Sequence, residues 1–242
     1  MQKKILGIIG LRSGSKGLKN KNIKLLGGIP LFAHILKSAK KSKFINKLIV
    51  STDSAFYKKL AIKHGAEVPF VRPRNLAKDN SKEIDFIKDL LKNLKKKNNY
   101  EPDIIVRLLA TCPFQKSKDI DKLIQIILFK NYSSAVIISK AKQHPNKALK
   151  IIGKKKNKIV SFFSNSGREV GSNLNRQSYI PAYFRSNVIA CKTEVIKKHN
   201  SLTGSKVGYL LIPESQNVDI DNKYDFEYAK FLMHISKKRK KK

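Results

Sequence analysis

Several residue types are scarce or missing in this sequence of 242 residues, and each absence excludes a class of protein. There is no tryptophan, and the only cysteines, Cys112 and Cys191, form neither a disulfide framework nor a metal-ligand pattern. No apolar run approaches the roughly 20 residues of a membrane span, so membrane insertion is not expected. Two unpaired cysteines favour a reducing compartment, and we expect a cytoplasmic protein.

Acidic residues are also few, 17 Asp and Glu against 52 Lys and Arg, and the formal net charge is +35. A basic surface attracts nucleic acid, anionic lipid or phosphate-bearing substrates. Alternatively, the lysines reflect overall composition, because they occur on every predicted helix and form no stripe with interleaved aromatic residues. We favour composition and expect no nucleic-acid partner. Residues 236–242 lack apolar neighbours and predict a basic disordered tail.

Short apolar runs alternate with amphipathic helical patterns along the chain. The predicted strands cover residues 5–10, 47–51, 68–71, 104–109, 135–139, 187–191 and 207–212. The predicted helices cover residues 30–42, 55–64, 82–96, 117–130 and 223–235. Continuous apolar strands separated by helices are typical of a parallel sheet covered on both faces. We therefore expect a single α/β domain over residues 1–235, with a doubly wound, mostly parallel sheet.

The alternation of apolar strand patterns with helical patterns stops after the fifth predicted strand. Residues 149–152 and 159–163 flank a lysine-rich turn and predict a hairpin. Residues 164–186 lack clear periodicity. We interpret residues 142–186 as a small inserted β arm or lid.

The first predicted strand leads into a loop, residues 11–22, that is suited to binding phosphate. It contains two glycines, two serines and four cations: Gly14, Gly17, Ser13, Ser15, Arg12, Lys16, Lys19 and Lys21. Glycines let backbone N–H groups approach closely, and N–H groups and cations bind phosphate oxygens. The loop matches neither the Walker pattern nor GxGxxG. In open α/β sheets ligands bind at the carboxyl ends of strands, where this loop must lie.

A second candidate is the acidic pair in Val218-Asp-Ile-Asp-Asn222. We place the pair at the end of a strand, where alternate residues share a face, so Asp219 and Asp221 would point the same way. Adjacent carboxylates repel unless a cation lies between them, and Mg²⁺ is commonly held by one or two carboxylates plus substrate phosphates. Alternatively, Asp221 or Asn222 caps the last helix.

The chain resembles the CMP-sialic acid synthetases, or acylneuraminate cytidylyltransferases, in their nonulosonate branch. The matching stretches keep their order from about residue 3 to 233, and they are RSGSKGLKNKNI (12–23), IVSTDS (49–54), RPRNLAKDNS (72–81), LLATCPF (108–114), QHPNKAL (143–149), NRQSYIPAYFRSN (175–187) and VDID (218–221). The resemblance implies a Rossmann-like nucleotidyltransferase fold with an arm for dimerisation, and a homodimer.

The resemblance also implies a Mg²⁺-dependent cytidylyltransferase. It would transfer CMP from CTP to a nine-carbon keto-sugar acid of sialic, legionaminic or pseudaminic type, release pyrophosphate and serve surface glycan synthesis. The implied catalytic residues are Arg12, Lys21, Asp219 and Asp221, with the two aspartates as metal ligands. The implied nucleotide-binding residues are Arg12, Ser13, Gly14, Ser15, Lys16, Lys21, Asn22, Arg72, Asp79 and Ser81. The implied sugar-binding residues are Leu109, Thr111, Lys147, Arg176, Gln177, Arg185 and Asn187.

The stretch 108–114 departs from the family's usual pattern. Leu109 stands where a glutamine would contact the sugar, Ala110 where proline is common, Cys112 where serine is usual, and Gln115 where an arginine often follows. Loss of a hydrogen-bond partner can change substrate preference by orders of magnitude. Transfer to a different sugar therefore remains an alternative, as does a non-enzymatic polyanion binder. Arg107, a cation in an otherwise apolar strand, predicts an acidic partner.

Overall fold

The computed structural model describes residues 2–15, 17–152, 158–163 and 180–239. Within them the strands are β1 (Ile5–Gly10), β2 (Leu25–Leu26), β3 (Ile29–Pro30), β4 (Lys47–Ser51), β5 (Ile104–Leu109), β6 (Ser134–Lys140), β7 (Leu149–Ile152), β8 (Lys158–Ser161), β9 (Tyr183–Lys192) and β10 (Val207–Leu211). The α-helices are α1 (Leu31–Lys40), α2 (Ala55–Lys63), α3 (Glu83–Asn98), α4 (Ser117–Phe129), α5 (Thr193–His199) and α6 (Lys223–Arg239).

A central sheet has the strand order β10-β6-β9-β5-β1-β4. Neighbouring strands are parallel except at β9, which is antiparallel to both β5 and β6. Strand β1 shows why the sheet is covered on both sides: Ile5 and Ile9 join the core on one face, and Leu6 and Ile8 join the core on the other. The predicted mostly parallel α/β sheet is confirmed.

Helices supply the two outer layers because each presents an apolar stripe to the sheet. Phe32 and Leu36 of α1, with residues of α4, pack on one face. Ile87 and Leu90 of α3, with residues of α5, pack on the other. The local signals at α2 are typical: Ser54 accepts a hydrogen bond from the Tyr57 N–H at the start of the helix. The doubly wound arrangement therefore follows from helical periodicity.

The antiparallel direction of β9 follows from the segment that precedes it. Strand β6 ends at the carboxyl edge of the parallel strands, and the chain returns to the sheet from the same edge. The N–H of Ala141 donates to the carbonyl of Ala182 at 2.8 Å, which closes the base of the inserted segment. Strands β7 and β8 form the predicted hairpin, apart from the central sheet.

Three sequence-based boundaries require correction. Residues 68–71 form no strand, since Pro69 has no N–H to donate. Val71 makes a single bridge to Thr52, and Glu67, just before the predicted strand, makes one to Ile49. Residues 183–186, assigned to the arm, already belong to β9. Helix α6 continues four residues beyond Ile235 to Arg239, because lysine and arginine are good helix formers and suit a helix C-terminus. Residues 240–242 of the predicted tail lie outside the described residues.

Among the helices that the structure describes, none is long and apolar enough to cross a membrane.

Candidate functional site

A cleft of about 520 Å³ opens at the carboxyl ends of β1 and β5. The predicted site residues that line it are Arg12, Ser15, Lys21, Asn22, Arg72, Asp79, Ser81, Leu109, Thr111, Asp219 and Asp221. These residues come from four separate stretches of the sequence. The fold therefore gathers most of the predicted nucleotide site, and both predicted metal ligands, into one cavity.

The loop after β1 is held in place by side-chain contacts. The Asn22 amide donates to the carbonyl of Arg12 at 2.9 Å, and Arg12 Nη1 lies 2.8 Å from Oδ1 of Asp79. The hydroxyl of Ser13 donates to Asp53 at 2.7 Å, so Ser13 anchors the loop and, like Gly14, is outside the lining of the cleft. These bonds fix the loop so that Arg12 and Lys21 stay at the cavity wall.

Lys16, predicted to contact phosphate, lies outside the described residues.

The loop is also in contact with the acidic segment. Lys21 Nζ lies 2.8 Å from Oδ1 of Asp221. A Cβ added to Gly17 would come within 2.5 Å of the Asp221 carbonyl oxygen, so only glycine permits this approach. The two sequence motifs singled out for phosphate and metal binding therefore touch each other.

The segment Val218–Asp221 is irregular backbone rather than the predicted strand end, but its alternation survives. Val218 and Ile220 are buried, and the Ile220 N–H donates to the carbonyl of Thr111 at 3.1 Å. Asp219 and Asp221 consequently both face the cleft. Asn222 caps α6 by accepting a hydrogen bond from the Asp225 N–H, so the capping alternative holds for Asn222 alongside the paired carboxylates.

The two carboxylates differ in environment. Asp219 is largely buried, and burial raises its pKa, with a further increase from the charge of Asp221. Hydrogen bonds from Thr111 and Asn187 act in the opposite direction. The Asn187 amide donates to Oδ2 of Asp219. Asp221 is more exposed and is paired with Lys21.

The acidic pair suits a hard divalent cation that is shared with a substrate. In the part of the chain that the structure describes, no group of three or more His, Cys, Asp or Glu side chains is arranged to hold a metal. Two carboxylates alone make an incomplete ligand set, and Mg²⁺ completes such sets with phosphate oxygens and water. The donor set therefore fits a cation that arrives with a polyphosphate.

Arg72 forms the opposite wall of the cleft. Its guanidinium carbon lies 3.8 Å from the centre of the Phe86 ring, and Nη2 donates to the carbonyl of Ser51 at 2.7 Å. Burial lowers the pKa of Arg72 to about 10, so the group remains a cation at neutral pH. The guanidinium is fixed from two sides, by its contact with the Phe86 ring and by its hydrogen bond to Ser51 at the end of β4.

The predicted sugar-binding residues are divided between places. Leu109 and Thr111 line the cleft, whereas Lys147 lines a second cavity of about 570 Å³ with His144 and Phe184. Arg185 and Asn187 lie in the first half of β9.

Arg176 and Gln177, also predicted to contact sugar, lie outside the described residues. Gln115 is buried, and its amide lies 3.3 Å from Oγ of Ser186 and from the carbonyl of Gln216. It supports the wall rather than facing the cleft.

Four residues near the cleft were given no site role by the sequence: Asp53, Glu83, Phe86 and Arg107. The predicted acidic partner of Arg107 is confirmed as Glu83, with Oε2 3.3 Å from Nε. Asp53 stands in the quoted stretch 49–54, and its place just after β4 was the available signal. Glu83 and Phe86 could not have been found, because they read as part of an ordinary amphipathic helix.

Both cysteines are free and buried. Burial raises the pKa of Cys112 well above its usual range, and Sγ lies 3.9 Å from Oδ1 of Asp219. Burial raises the pKa of Cys191 to about 12. Neither group is a thiolate at neutral pH, so both act as small apolar side chains.

Comparison with known proteins places the chain in a family. The sequence profile of the cytidylyltransferases matches residues 6–203. The chain belongs to the cytidylyltransferase family. This confirms the nucleotidyltransferase class expected from the resemblance, and the non-enzymatic alternative is not retained.

Relatives of this cytidylyltransferase match over nearly its full length. It is 29% identical to post-translational flagellin modification protein B of Campylobacter coli, over 95% of this chain and 94% of the relative. It is 30% identical to the CMP-N,N'-diacetyllegionaminic acid synthase of Legionella pneumophila, over 96% of this chain and 97% of the relative.

A solved CMP:2-keto-3-deoxy-manno-octonic acid synthetase in complex with CTP superposes on this cytidylyltransferase with a TM-score of 0.70. The match covers 96% of this chain and 99% of the other at 15% identity, and it shows the shared fold.

Proposed function

We propose that the protein transfers CMP from CTP to a nine-carbon keto-sugar acid of sialic, legionaminic or pseudaminic type, for surface glycan synthesis. One observation carries the proposal: Arg12, Lys21, Asp219 and Asp221 line a single cleft at the carboxyl end of β1. Two cations and two carboxylates in one cavity suit a triphosphate that binds with Mg²⁺. The name of the Legionella pneumophila relative, a CMP-N,N'-diacetyllegionaminic acid synthase, supports this substrate class.

In this proposal the nucleotide lies between the loop after β1 and the wall formed by Arg72. Arg12, Ser15, Lys16 and Lys21 hold the triphosphate, and Ser13 anchors the loop that carries them. Asn22, Asp79 and Ser81 contact the nucleoside. Hydrogen bonds to Arg12 already fix Asn22 and Asp79 in place. Asp219 and Asp221 hold the cation.

The reaction needs positioning and charge neutralisation rather than covalent catalysis. A sugar hydroxyl oxygen forms a bond to the α-phosphorus and gives up its proton to water. The bond from that phosphorus to the bridging oxygen breaks, and pyrophosphate leaves with the electron pair. Arg12 and Lys21 offset negative charge on the phosphates in the transition state. Bound Mg²⁺ supplies further neutralisation of phosphate charge. No protein nucleophile is required, in keeping with the protonated state of Cys112.

The predicted sugar-binding residues define the acceptor site less closely than the predicted nucleotide-binding residues define the CTP site. Leu109 offers an apolar surface where a hydrogen-bonding residue would contact the sugar, and Thr111 offers a hydroxyl beside it. Lys147 and Arg185, with Arg176 and Gln177, are the proposed contacts for the carboxylate and substituents. Because Leu109 cannot donate or accept a hydrogen bond, transfer to a different sugar acid is the second candidate.

A homodimer formed through the arm would explain its exposed apolar side chains. Among the described residues these are Leu149, Ile151, Ile159, Phe162, Phe163 and Ile180, and the adjoining start of β9 adds Tyr183 and Phe184. The arrangement would also bring Lys147 towards a partner's cleft. The free cysteines support a reducing cytoplasm as the place of action.

Pyrophosphate release by purified protein with Mg²⁺ tests the proposal. CTP, ATP, GTP and UTP are each paired with N-acetylneuraminate, legionaminate, pseudaminate and KDO. We expect release only with CTP and a nine-carbon acid, and loss of release in Asp219→Asn. Asp121→Asn, away from the cleft, is the control. CTP binding without release for any of the four acids would support the altered acceptor, and absence of CTP binding would refute the proposal.

A further inference from the structure

Arg107 is a buried cation for which the proposed reaction has no use. It lies in β5 between apolar residues, and only 5% of its surface is exposed. Burying a charge is expensive, and an apolar residue of similar size would commonly be as stable or more so. Besides the ion pair with Glu83, Nη1 of Arg107 donates to the carbonyl of Asn187 at 2.6 Å. The arginine therefore holds a specific point of β9.

That point is an irregularity in the sheet. Val136 of β6 pairs with Ile189, but Ile138 pairs with Arg185, so two steps along β6 correspond to four along β9. Asn187 lies within this β-bulge, and bulges re-aim side chains. The pairing of β9 with β5 ends at Val188, so the Asn187 carbonyl is left to Arg107.

The re-aimed side chain of Asn187 reaches the acidic pair. Its Nδ2 donates to Oδ2 of Asp219, which restrains the plane of that carboxylate. Ionised carboxylates have lone pairs on both oxygens, so a cation can still be bound. A continuous set of contacts thus runs from Glu83 through Arg107 and Asn187 to Asp219.

We propose that Arg107 and Asn187 are positioning residues that orient Asp219 for the divalent cation. Asn187 acts directly on the carboxylate, and Arg107 acts through Asn187 by pinning the bulge. The inference rests on the proposed function, since it takes Asp219 as a metal ligand. It reassigns Asn187 from the sugar to the support of the metal site. Groups that orient metal ligands typically affect metal affinity about 10- to 100-fold.

The test measures how strongly Mg²⁺ tightens CTP binding. The dissociation constant of CTP is determined by calorimetry with and without saturating Mg²⁺. The ratio of the metal-free value to the value with Mg²⁺ isolates the contribution of the metal. In Asn187→Ala we expect this ratio to fall about 10-fold, with metal-free CTP binding unchanged. In Arg107→Lys, which keeps the charge but not the forked geometry, we expect a smaller fall.

A double variant tests whether Arg107 acts through Asn187. If it does, Arg107→Lys combined with Asn187→Ala lowers the ratio no further than Asn187→Ala alone, whereas independent effects would multiply. Val188→Ala is the matched control, because this neighbouring side chain is buried in the core on the opposite face of the sheet. It should reduce thermal stability and leave the ratio unchanged.

The outcomes separate this inference from the proposed function. A wild-type protein that transfers CMP, with unchanged ratios in both single variants, would overturn the inference and leave the function standing. Suppose instead that the wild-type protein transfers no CMP, and that Asn187→Ala abolishes the effect of Mg²⁺ on CTP binding. That result would overturn the proposed function and leave the inference standing. Absence of any Mg²⁺ effect on wild-type CTP binding would overturn the inference outright.

Discussion

The ammonium of Lys21 lies 2.8 Å from Oδ1 of Asp221, a residue 200 positions further along the chain. This ion pair joins the loop that follows β1 to the segment that precedes α6. It holds a cation of the predicted phosphate loop directly beside the predicted metal ligands. Charge that is fixed before the reaction begins is the most effective kind in catalysis, because no reorganisation is needed.

Replacing Lys21 by alanine should lower kcat/KM for CTP about 100-fold, since one preorganised charge on the phosphates is lost. Steady-state kinetics at saturating acceptor measure the effect. Lys19→Ala is the matched control, because Lys19 is an exposed cation of the same loop and is outside the cleft lining. Exposed charges are screened by salt, so the control should change kcat/KM by about twofold at most. Equal losses in both variants would show a general charge effect instead.

Replacing Gly17 by alanine should disrupt the contact between the two loops. The new Cβ would lie 2.5 Å from the Asp221 carbonyl oxygen, so one backbone segment must shift. We expect weaker CTP binding by about 10-fold, because the misplaced loop loses phosphate contacts. Calorimetric titration with CTP measures this change.

The steric control for Gly17 is Gly14→Ala. Among the described residues no heavy atom lies within 4 Å of a Cβ at Gly14. The melting temperature of the Gly14→Ala variant should therefore match the wild-type value, whereas that of the Gly17→Ala variant should fall. Identical melting temperatures for the two variants would argue against the steric explanation.

Asp103 should make stability depend on acid pH. Its carboxylate accepts a hydrogen bond from the Lys4 N–H at 2.8 Å, and this bond, with the nearby Lys3, lowers its pKa from the ordinary 3.8. A group whose pKa is lowered on folding stabilises the fold above its unfolded pKa, and the contribution is lost as pH falls through the folded pKa. The loss should therefore occur below about pH 4.

The measurement for Asp103 is urea unfolding of wild type and Asp103→Asn at pH 7 and pH 3. The variant should be less stable at pH 7 by about 1 kcal/mol or less, because the pair is partly exposed. The difference should be smaller at pH 3 than at pH 7, because protonation removes the contribution of the charge. A difference that persists unchanged at pH 3 would contradict the assigned role of the charge.

Replacing Ile151 by aspartate should weaken the proposed dimer. Ile151 is 72% exposed on β7, and a charge there would have to be buried at an interface through the arm. Sedimentation velocity over a range of concentrations measures the monomer–dimer equilibrium. Ile62→Asp, at a side chain that is 50% exposed on α2, is the control. A wild-type protein that remains monomeric at all concentrations would contradict the proposal.

Local sequence patterns predicted most of the architecture because they reflect local physics. The alternating burial of β1 and the helical stripe of α3 are encoded within each element, so both could be predicted directly. The direction of β9 could not, since an apolar strand has the same pattern whether it runs parallel or antiparallel. Residues 68–71 also matched a strand by composition, but Pro69 and the lack of a partner over their full length prevented one.

The site was predictable in its parts but not in its connections. Arg12, Lys21 and the acidic pair belong to short motifs whose chemistry is visible in the sequence. The contacts that join them depend on the folded chain: Asn187 meets Asp219 only because β9 bulges between β5 and β6. Arg107 indicated that an acidic partner must exist, yet several acids could have filled the role before the fold selected Glu83.

The closed base of the arm has a consequence for how such enzymes diversify. Ala141 and Ala182 meet through one hydrogen bond, so the intervening segment leaves and re-enters the sheet at a single point. A segment with adjacent ends can change length or sequence at little cost in chain entropy and without shifting the register of β6 or β9. Under the proposed function, in which residues of the arm contact the acceptor, acceptor preference can therefore change through the arm while the nucleotide cleft keeps the structure of the sheet.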